Sequence, residues 1–512
     1  MSSATQKDEV TSRAARSQHK SALVAFRPNF VQRIDAHIVF LALILLIAAV
    51  LRFSNLDRTI WLDEAVSWVQ ASAPSFLEML KATARDNYPP LHNAILYITI
   101  KLFGDSEVAM RIPSALLGIG TVYLLYRLGE LLWDRTTGLI AALLLAVSGF
   151  HVWYSGEVRM YALLAFTSTL FILMAVLAMR RPNWMTLGGC AAAGTALLYS
   201  HLYGTFLFIG VNALVLVMLM TRASGVHVRL GSWMVSQALA FLPFAPWAII
   251  LYWRAQTVTA TRGWTPEPTP KFVFDKVSEV AGGSLALILL GILAVLSFLD
   301  FARLSTEKKA TKRIRADWRT ALVLTWFAAP LLIGYVVAVI LGNPSPSKGP
   351  TGQNILHQRY FICVLPALLL LAARGAGSFA QKRETTALIT AVAVAVSLPA
   401  WTNERARPSH KLAMQEFSAR SLPDDQVYFI RYSRTPSLYY YRKPLTHATE
   451  FEEINQIPPG VTNLDRFWLV LRSDSHDKNL YPFLSQMNKS HHIKFKINNL
   501  IYLFEKRDKT TY

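Results

Sequence analysis

The feature that most constrains this chain is the recurrence of apolar runs long enough to enter a bilayer. About twenty apolar residues span a hydrocarbon core as a helix. Such runs fall near Ala36–Phe53, Ile112–Leu132, Gly138–Trp153, Tyr161–Met179, Trp184–Ser200 and Tyr203–Met220. Others lie near Ser232–Tyr252, Leu285–Phe301, Thr320–Leu341, Tyr360–Ala373 and Thr386–Trp401. They predict an all-α polytopic membrane protein with about eleven spans. Charge agrees: 16% of the 512 residues are charged and 53% hydrophobic, whereas soluble domains carry about a quarter charged residues. Cys190 and Cys363 both fall inside spans, which excludes a disulfide framework.

Loop charge sets the threading, because Lys and Arg in short loops stay cytoplasmic. Lys7, Arg13, Arg16, Lys20, Arg27 and Arg33 precede the first run. That stretch is too long for a secretory signal and has no small-residue cleavage site, so the first span is expected to be an uncleaved anchor. Threading then puts Thr306–Arg319, Arg180–Pro182 and Gln381–Glu384, the most basic short loops, on the same cytoplasmic side. The net charge of +20 is thereby largely topological and requires no nucleic acid. Five segments face the other side: Ser54–Arg111, Tyr154–Tyr161, Ser200–Gly204, Trp253–Ser284 and Gly342–Tyr360. Pro89–Gly104 is apolar but short, and a span there would turn the basic loops outward. It is expected to lie as a helix in the interface, like the rest of the first outer loop, 54–111.

Beyond about residue 401 the pattern changes. "QVYFIRY", "LTHATEF", "RFWLVLRS" and "NLIYLFEK" are rich in β-formers and are separated by helical stretches such as Tyr481–Met487. The expected organisation is a cytoplasmic tail, 1–35, a transmembrane domain, 36–401, and a small soluble α/β domain, 402–512, outside the cytoplasm.

Almost everything chemically unusual gathers on that outer side. "WLDEAVSW" sets Asp63 and Glu64 between Trp61 and Trp68, whose amphipathic rings suit an interface. Asp86, Glu157, Arg159 and Arg359 also sit at the outer ends of spans. Taken singly, each has a bland role: arginines snorkel to headgroups, and acids favour the first turn of a helix. Glu64 is read mainly as such a cap, with tuning of Asp63 or help in binding a divalent ion as alternatives. His201 can ligate a metal beside an acid or simply donate a hydrogen bond, and a divalent cation is the one cofactor the sequence leaves open. Together, two carboxylates and two arginines at one depth suit a site that handles a proton and a phosphate.

Five stretches, "LDEAVSW", "DNYPPLHNAILY", "YSGEVRMYALLAF", "LYSHLYGTF" and "HQRYFICVLPALLLLAA", carry a resemblance. In that order, they resemble bacterial GT-C membrane glycosyltransferases related to protein O-mannosyltransferases and aminoarabinose–lipid A transferase, over roughly Ala36 to Ala373. The resemblance implies a polyprenyl-phosphate sugar donor, a lipid, glycan or protein acceptor of the cell envelope, and inverting transfer on the non-cytoplasmic face of a bacterial inner membrane. It implies Asp63 as catalytic base and Arg159 and Arg359 beside the donor phosphate. Glu64, Asp86, Tyr88, His92, Glu157, Tyr161, His201 and Tyr203 stand in or beside the matching motifs as candidate substrate contacts. Relatives often read "HPPLYY" where this chain has Tyr88 before the prolines and His92 after Leu91, which points to an altered sugar or acceptor preference.

A lipid-linked glycan flippase or transporter is the main rival, and a glycan polymerase using the same donors is another. Transporters carry polar residues near the midplane of repeated halves. Here the midspan positions are apolar and no repeat is visible.

Overall fold

The computed structural model describes residues 35–54, 56–86, 88–257, 268–306, 317–342, 356–379, 409–430, 432–471, 479–497 and 500–507. The basic tail, the basic loops around 307–316 and 381–384, most of the 342–360 loop and the run Thr386–Trp401 lie outside them. The chain divides into two compact units, Met1–Leu43 and Ile44–Tyr512. Among the described residues the first contributes only the opening turns of a helix, and the second holds all the rest.

The membrane part is helical. Its elements are α1 (Ala36–Phe53), α2 (Leu62–Ala71), α3 (Phe76–Ala84), α4 (Leu91–Phe103), α5 (Glu107–Leu132), α6 (Arg135–Val147), α7 (Gly149–Ser155) and α8 (Tyr161–Arg180). Then come α9 (Trp184–Ser200), α10 (Leu202–Met220), α11 (Leu230–Phe241), α12 (Ala245–Thr257), α13 (Pro270–Ala281), α14 (Ser284–Thr306) and α15 (Trp318–Gly342). A 3₁₀ turn, Gln358–Cys363, leads into α16 (Leu365–Phe379).

Five described helices are long and apolar enough to cross a membrane, and three further candidates are bent pairs. The bends correct the reading of continuous spans. The run Gly138–Trp153 breaks by 64° between α6 and α7. There the buried Arg52 of α1 donates to the carbonyls of Leu145 and Ala146, at 3.1 and 3.0 Å, and contacts His151 Nδ1 at 2.8 Å. A guanidinium that takes over carbonyls freed at a helix end makes the break tolerable in an apolar setting. The run Ser232–Tyr252 breaks by 56° between α11 and α12, at Pro243, which has no N–H to donate. The segment Trp253–Ser284, read as a loop, contains α13, which turns by 87° into α14. Gly282 and Gly283 make that turn with φ of +100° and +119°, values that favour glycine.

The segment between α1 and α5 folds into α2, α3 and α4, none of them long enough to span. α4 has thirteen residues and stops at Gly104, whose φ is +79°. It is a short helix, as its sequence predicts.

The C-terminal part is a five-stranded sheet with helices. Its elements are α17 (His410–Arg420), β1 (Gln426–Ile430), α18 (Arg434–Tyr441), β2 (Ala448–Phe451), β3 (Arg466–Val470), α19 (Leu480–Met487), β4 (His491–Ile497) and β5 (Ile501–Lys506). Strand order is β2-β1-β3-β5-β4. β1 is parallel to β2 and β3, whereas β5 runs antiparallel to β3 and β4. One face packs Phe467, Leu469 and Phe504 against α19 residues Phe483 and Met487. The other packs Phe429, Trp468 and Leu503 against α17 residues Met414 and Phe417.

Candidate active site

The two adjacent acids of α2 have different fates. Glu64 is fully buried and forms a two-point ion pair with Arg111 of α5: Nη2 to Oε2 at 2.7 Å and Nε to Oε1 at 3.1 Å. Glu64 Oε1 also accepts from the Val158 N–H at 2.9 Å, and Oε2 from the Trp61 N–H at 3.3 Å. The last bond is the capping role read from sequence, and Arg111 is its larger partner. Arg111 further donates to the carbonyls of Leu56 and Thr59, at 2.7 and 3.3 Å, and to that of Arg58. The entry into α2 is therefore clamped to the start of α5 and to the turn before α8.

With Glu64 held inward, helical spacing turns Asp63 to the side of that clamp. Asp63 Oδ2 accepts from Arg359 Nη1 at 2.6 Å, across 296 positions of chain. Asp63 keeps 24% and Arg359 11% side-chain exposure, so the pair is partly open. Arg159, in the turn before α8, donates to the Asp63 carbonyl at 3.3 Å and to Ser67 Oγ at 3.2 Å. Burial alone lowers the pKa of either arginine. For Arg159 the neighbours Tyr161, Asp63 and Tyr88 outweigh it, and for Arg359 Tyr161, Tyr360 and Asp63 do, so both are raised and stay cationic.

Aromatic rings wall the arginines. Arg159 stacks over Tyr88 at 4.9 Å, and Arg359 lies 5.6 to 5.9 Å from Tyr161, Tyr360 and Trp61. Ring faces hold such cations without neutralising them. Trp61 is thus more than an interfacial anchor, and Trp68 donates to Asp105 Oδ2 at 2.9 Å. His201 caps α10, its Nδ1 accepting from the Tyr203 N–H at 3.2 Å. Its ring stands 4.7 Å from Tyr360 and 5.9 Å from both Tyr88 and Tyr203. Burial and the charge of Arg159 hold both His92 and His201 down to a pKa of about 3, so both rings are neutral. Burial and Arg359 do the same for His357, down to about 3.

The structure thus brings Asp63, Tyr88, His92, Arg159, Tyr161, His201, Tyr203 and Arg359 to one place. Glu64 lies beneath it, committed to Arg111. Glu157 is fully buried in the same turn as Arg159. Asp86 is bonded to Gln70 Nε2 at 3.1 Å, and Gln70 accepts from Asn93 at 2.6 Å. Among the described residues no group of three His, Cys, Asp or Glu side chains can hold a metal ion. Sequence reasoning missed Arg111, whose signal was an arginine in the first turns of a span, and His357 and Tyr360, which flank Arg359 in "HQRY".

A family model described as dolichyl-phosphate-mannose-protein mannosyltransferase matches residues 87–253. No curated protein matches the sequence significantly. The fold is similar to that of ArnT from Cupriavidus metallidurans in its crystal structure bound to undecaprenyl phosphate, with a TM-score of 0.57 and 16% identity over 91% of this chain and 98% of that one. It is also similar to ArnT from the same organism in the apo state, with a TM-score of 0.54 and 14% identity over 92% and 98% of the two chains. The chain thus carries helices long and apolar enough to cross a membrane, its residues 87–253 match that mannosyltransferase family model, and its fold is similar to that of ArnT.

Proposed function

We propose that this enzyme moves a sugar from a polyprenyl-phosphate donor to an envelope lipid, glycan or protein acceptor, with inversion at the anomeric carbon. The observation that carries the reading is the 2.6 Å contact between Asp63 and Arg359, with Arg159 on the backbone of the same helix turn. The acceptor O–H or N–H attacks C1 of the sugar and loses its proton to the Asp63 carboxylate. The bond from C1 to the phosphate oxygen breaks, and the lipid phosphate departs with the electron pair. A phosphate needs no general acid to leave, but preorganised cations stabilise its growing charge, and a guanidinium fits its oxygens in pairs. Arg359 serves both partners. An arriving phosphate competes with Asp63 for the same guanidinium, and a carboxylate released from a cation becomes more basic. Donor binding thereby readies the base. Undecaprenyl phosphate in the ArnT structure supports a donor of this kind. The site belongs on the non-cytoplasmic face of the bacterial inner membrane, with the N-terminus in the cytoplasm and the C-terminal domain outside it.

The test is turnover of purified protein in vesicles carrying a defined polyprenyl-phosphate sugar and a lipid extract from the envelope. Asp63→Asn keeps the shape and removes the base, so turnover falls by about a hundredfold or more, with donor binding retained. Turnover near the wild-type rate overturns Asp63 as base.

A further inference from the structure

The sequence of the C-terminal domain carries no catalytic motif, yet the domain touches the stretch that leads into Asp63. The Tyr440 hydroxyl, at the end of α18, accepts from the backbone N–H of Ile60 at 2.7 Å. Ile60 is fully buried and lies three residues before Asp63. The neighbouring carbonyls of Leu56, Arg58 and Thr59 go to Arg111. The backbone of this stretch is therefore gripped from two sides, its carbonyls by the membrane domain and an N–H by the C-terminal domain.

Other contacts point the same way. Tyr439 donates to the Asp105 carbonyl at 2.7 Å and meets Trp68 of α2 edge-on at 5.1 Å. Asp105 accepts from that same Trp68 and pairs with Arg442 at 3.0 Å. Tyr439 also completes an apolar cluster with Ile60, Ala65, Leu96, Met110 and Val158. Both ends of α2 are thus tied to α18.

We infer that the C-terminal domain is a positioning element of the transfer reaction, with Tyr440 as the residue that sets the approach of Asp63 to Arg359. The inference rests on the reading of Asp63 as base. Tyr440 acts only through Asp63 and is a positioning residue. A displacement near 1 Å at a reacting group can cost up to about a hundredfold in rate, so one well-placed hydroxyl has leverage.

Tyr440→Phe removes the acceptor and keeps the ring. Turnover in the vesicle assay is expected to fall about tenfold with the donor KM not raised, because the base is displaced while a loosened Asp63 competes no more strongly with the phosphate for Arg359. Thr59 Oγ1 and Ser409 Oγ are 3.4 Å apart across the same junction. The Thr59→Cys and Ser409→Cys pair, oxidised to a disulfide, is expected to restore turnover in the Tyr440→Phe protein by holding the domain in place. Reduction should abolish the rescue. Wild-type turnover in Tyr440→Phe overturns the inference, as does a crosslinked wild-type enzyme that loses activity and regains it on reduction. Asp63→Asn run alongside separates the two readings. If it is inactive while Tyr440→Phe is normal, only the positioning role fails. If it turns over normally, the base assignment fails and the positioning role with it.

Discussion

Two charged networks in this molecule are built to opposite ends. In the C-terminal sheet, Arg466 donates through Nε to Asp425 at 2.9 Å, through Nη1 to Glu505 at 2.7 Å and through Nη2 to the Arg420 carbonyl at 2.5 Å. Asp425 also accepts from Trp468 Nε1 at 2.7 Å. Around Asp63 the pattern is open. Arg159 Nε, Arg359 Nε, Tyr161 Oη, His92 Nε2 and His201 Nε2 are buried and lack a hydrogen-bond partner among the described residues. Buried polar groups in folded proteins are nearly always paired, and the substrate contacts proposed above would account for these five. A closed network holds a domain together; the open one rests on the closed pair of Glu64 and Arg111 beneath it.

The sharpest way to break that contrast lies within α2. Glu64 belongs to the closed part, and removing one partner of a buried ion pair typically destabilises by about 3–5 kcal/mol. Glu64→Ala should strand Arg111 and lower the unfolding temperature steeply, whereas Asp63→Ala should leave it almost unchanged. Thermal unfolding of the two purified variants decides it. A well-folded but inactive Glu64→Ala protein would place Glu64 in the chemistry instead.

Next in size comes Arg359. Lysine keeps the charge that Asp63 meets but loses the planar fork that grips two oxygens. Arg359→Lys should cost about 1–3 kcal/mol, the range of a charge-assisted hydrogen bond. If the arginine meets mainly charge that develops on the leaving phosphate, the loss appears in turnover rather than in donor KM. Unchanged kinetics in both parameters would return Arg359 to the role of a headgroup anchor.

How much of this could be read from the chain depends on the range of the forces involved. The apolar helices were legible because each is a local run of apolar residues, though among the described residues only five, or eight with the bent pairs, are long enough to cross a membrane. Their bends were not, since a carbonyl freed near Ala146 is made tolerable by Arg52, almost a hundred residues earlier. β4 escaped notice because "HHIKFKI" alternates its apolar residues with Lys and His at the edge of the sheet, without the apolar weight of β3. The gathering of Asp63, Arg159 and Arg359 was legible in two steps: the expected sidedness put six ionisable residues at one depth, and the family resemblance picked out these three. Arg111 was invisible as the partner of Glu64, because pairing inside a packed core leaves no periodic trace. Tyr440 was invisible for the same reason.

The smallest expected effect tests the closed network by pH. Burial raises the Glu505 pKa, but hydrogen bonding and charge from Lys494, with the charges of Arg466 and His492, outweigh it and hold the carboxyl below its ordinary value. Lys494 Nζ stands 3.1 Å away and His492 Nε2 3.9 Å. With the folded pKa lower than the unfolded one, the unfolded chain binds more protons between the two values. The stabilisation is therefore complete above the unfolded pKa and disappears as pH falls through the folded one. Glu505→Gln should lower stability at pH 7 by less than about 1 kcal/mol, the scale of solvent-accessible ion pairs. The gap between variant and wild type should close on acidification below the ordinary carboxylate range. Thermal unfolding of the full chain at neutral and acid pH reads this directly. A gap that persists at acid pH would mean that Glu505 acts through packing, and the closed network would then owe less to charge than its geometry suggests.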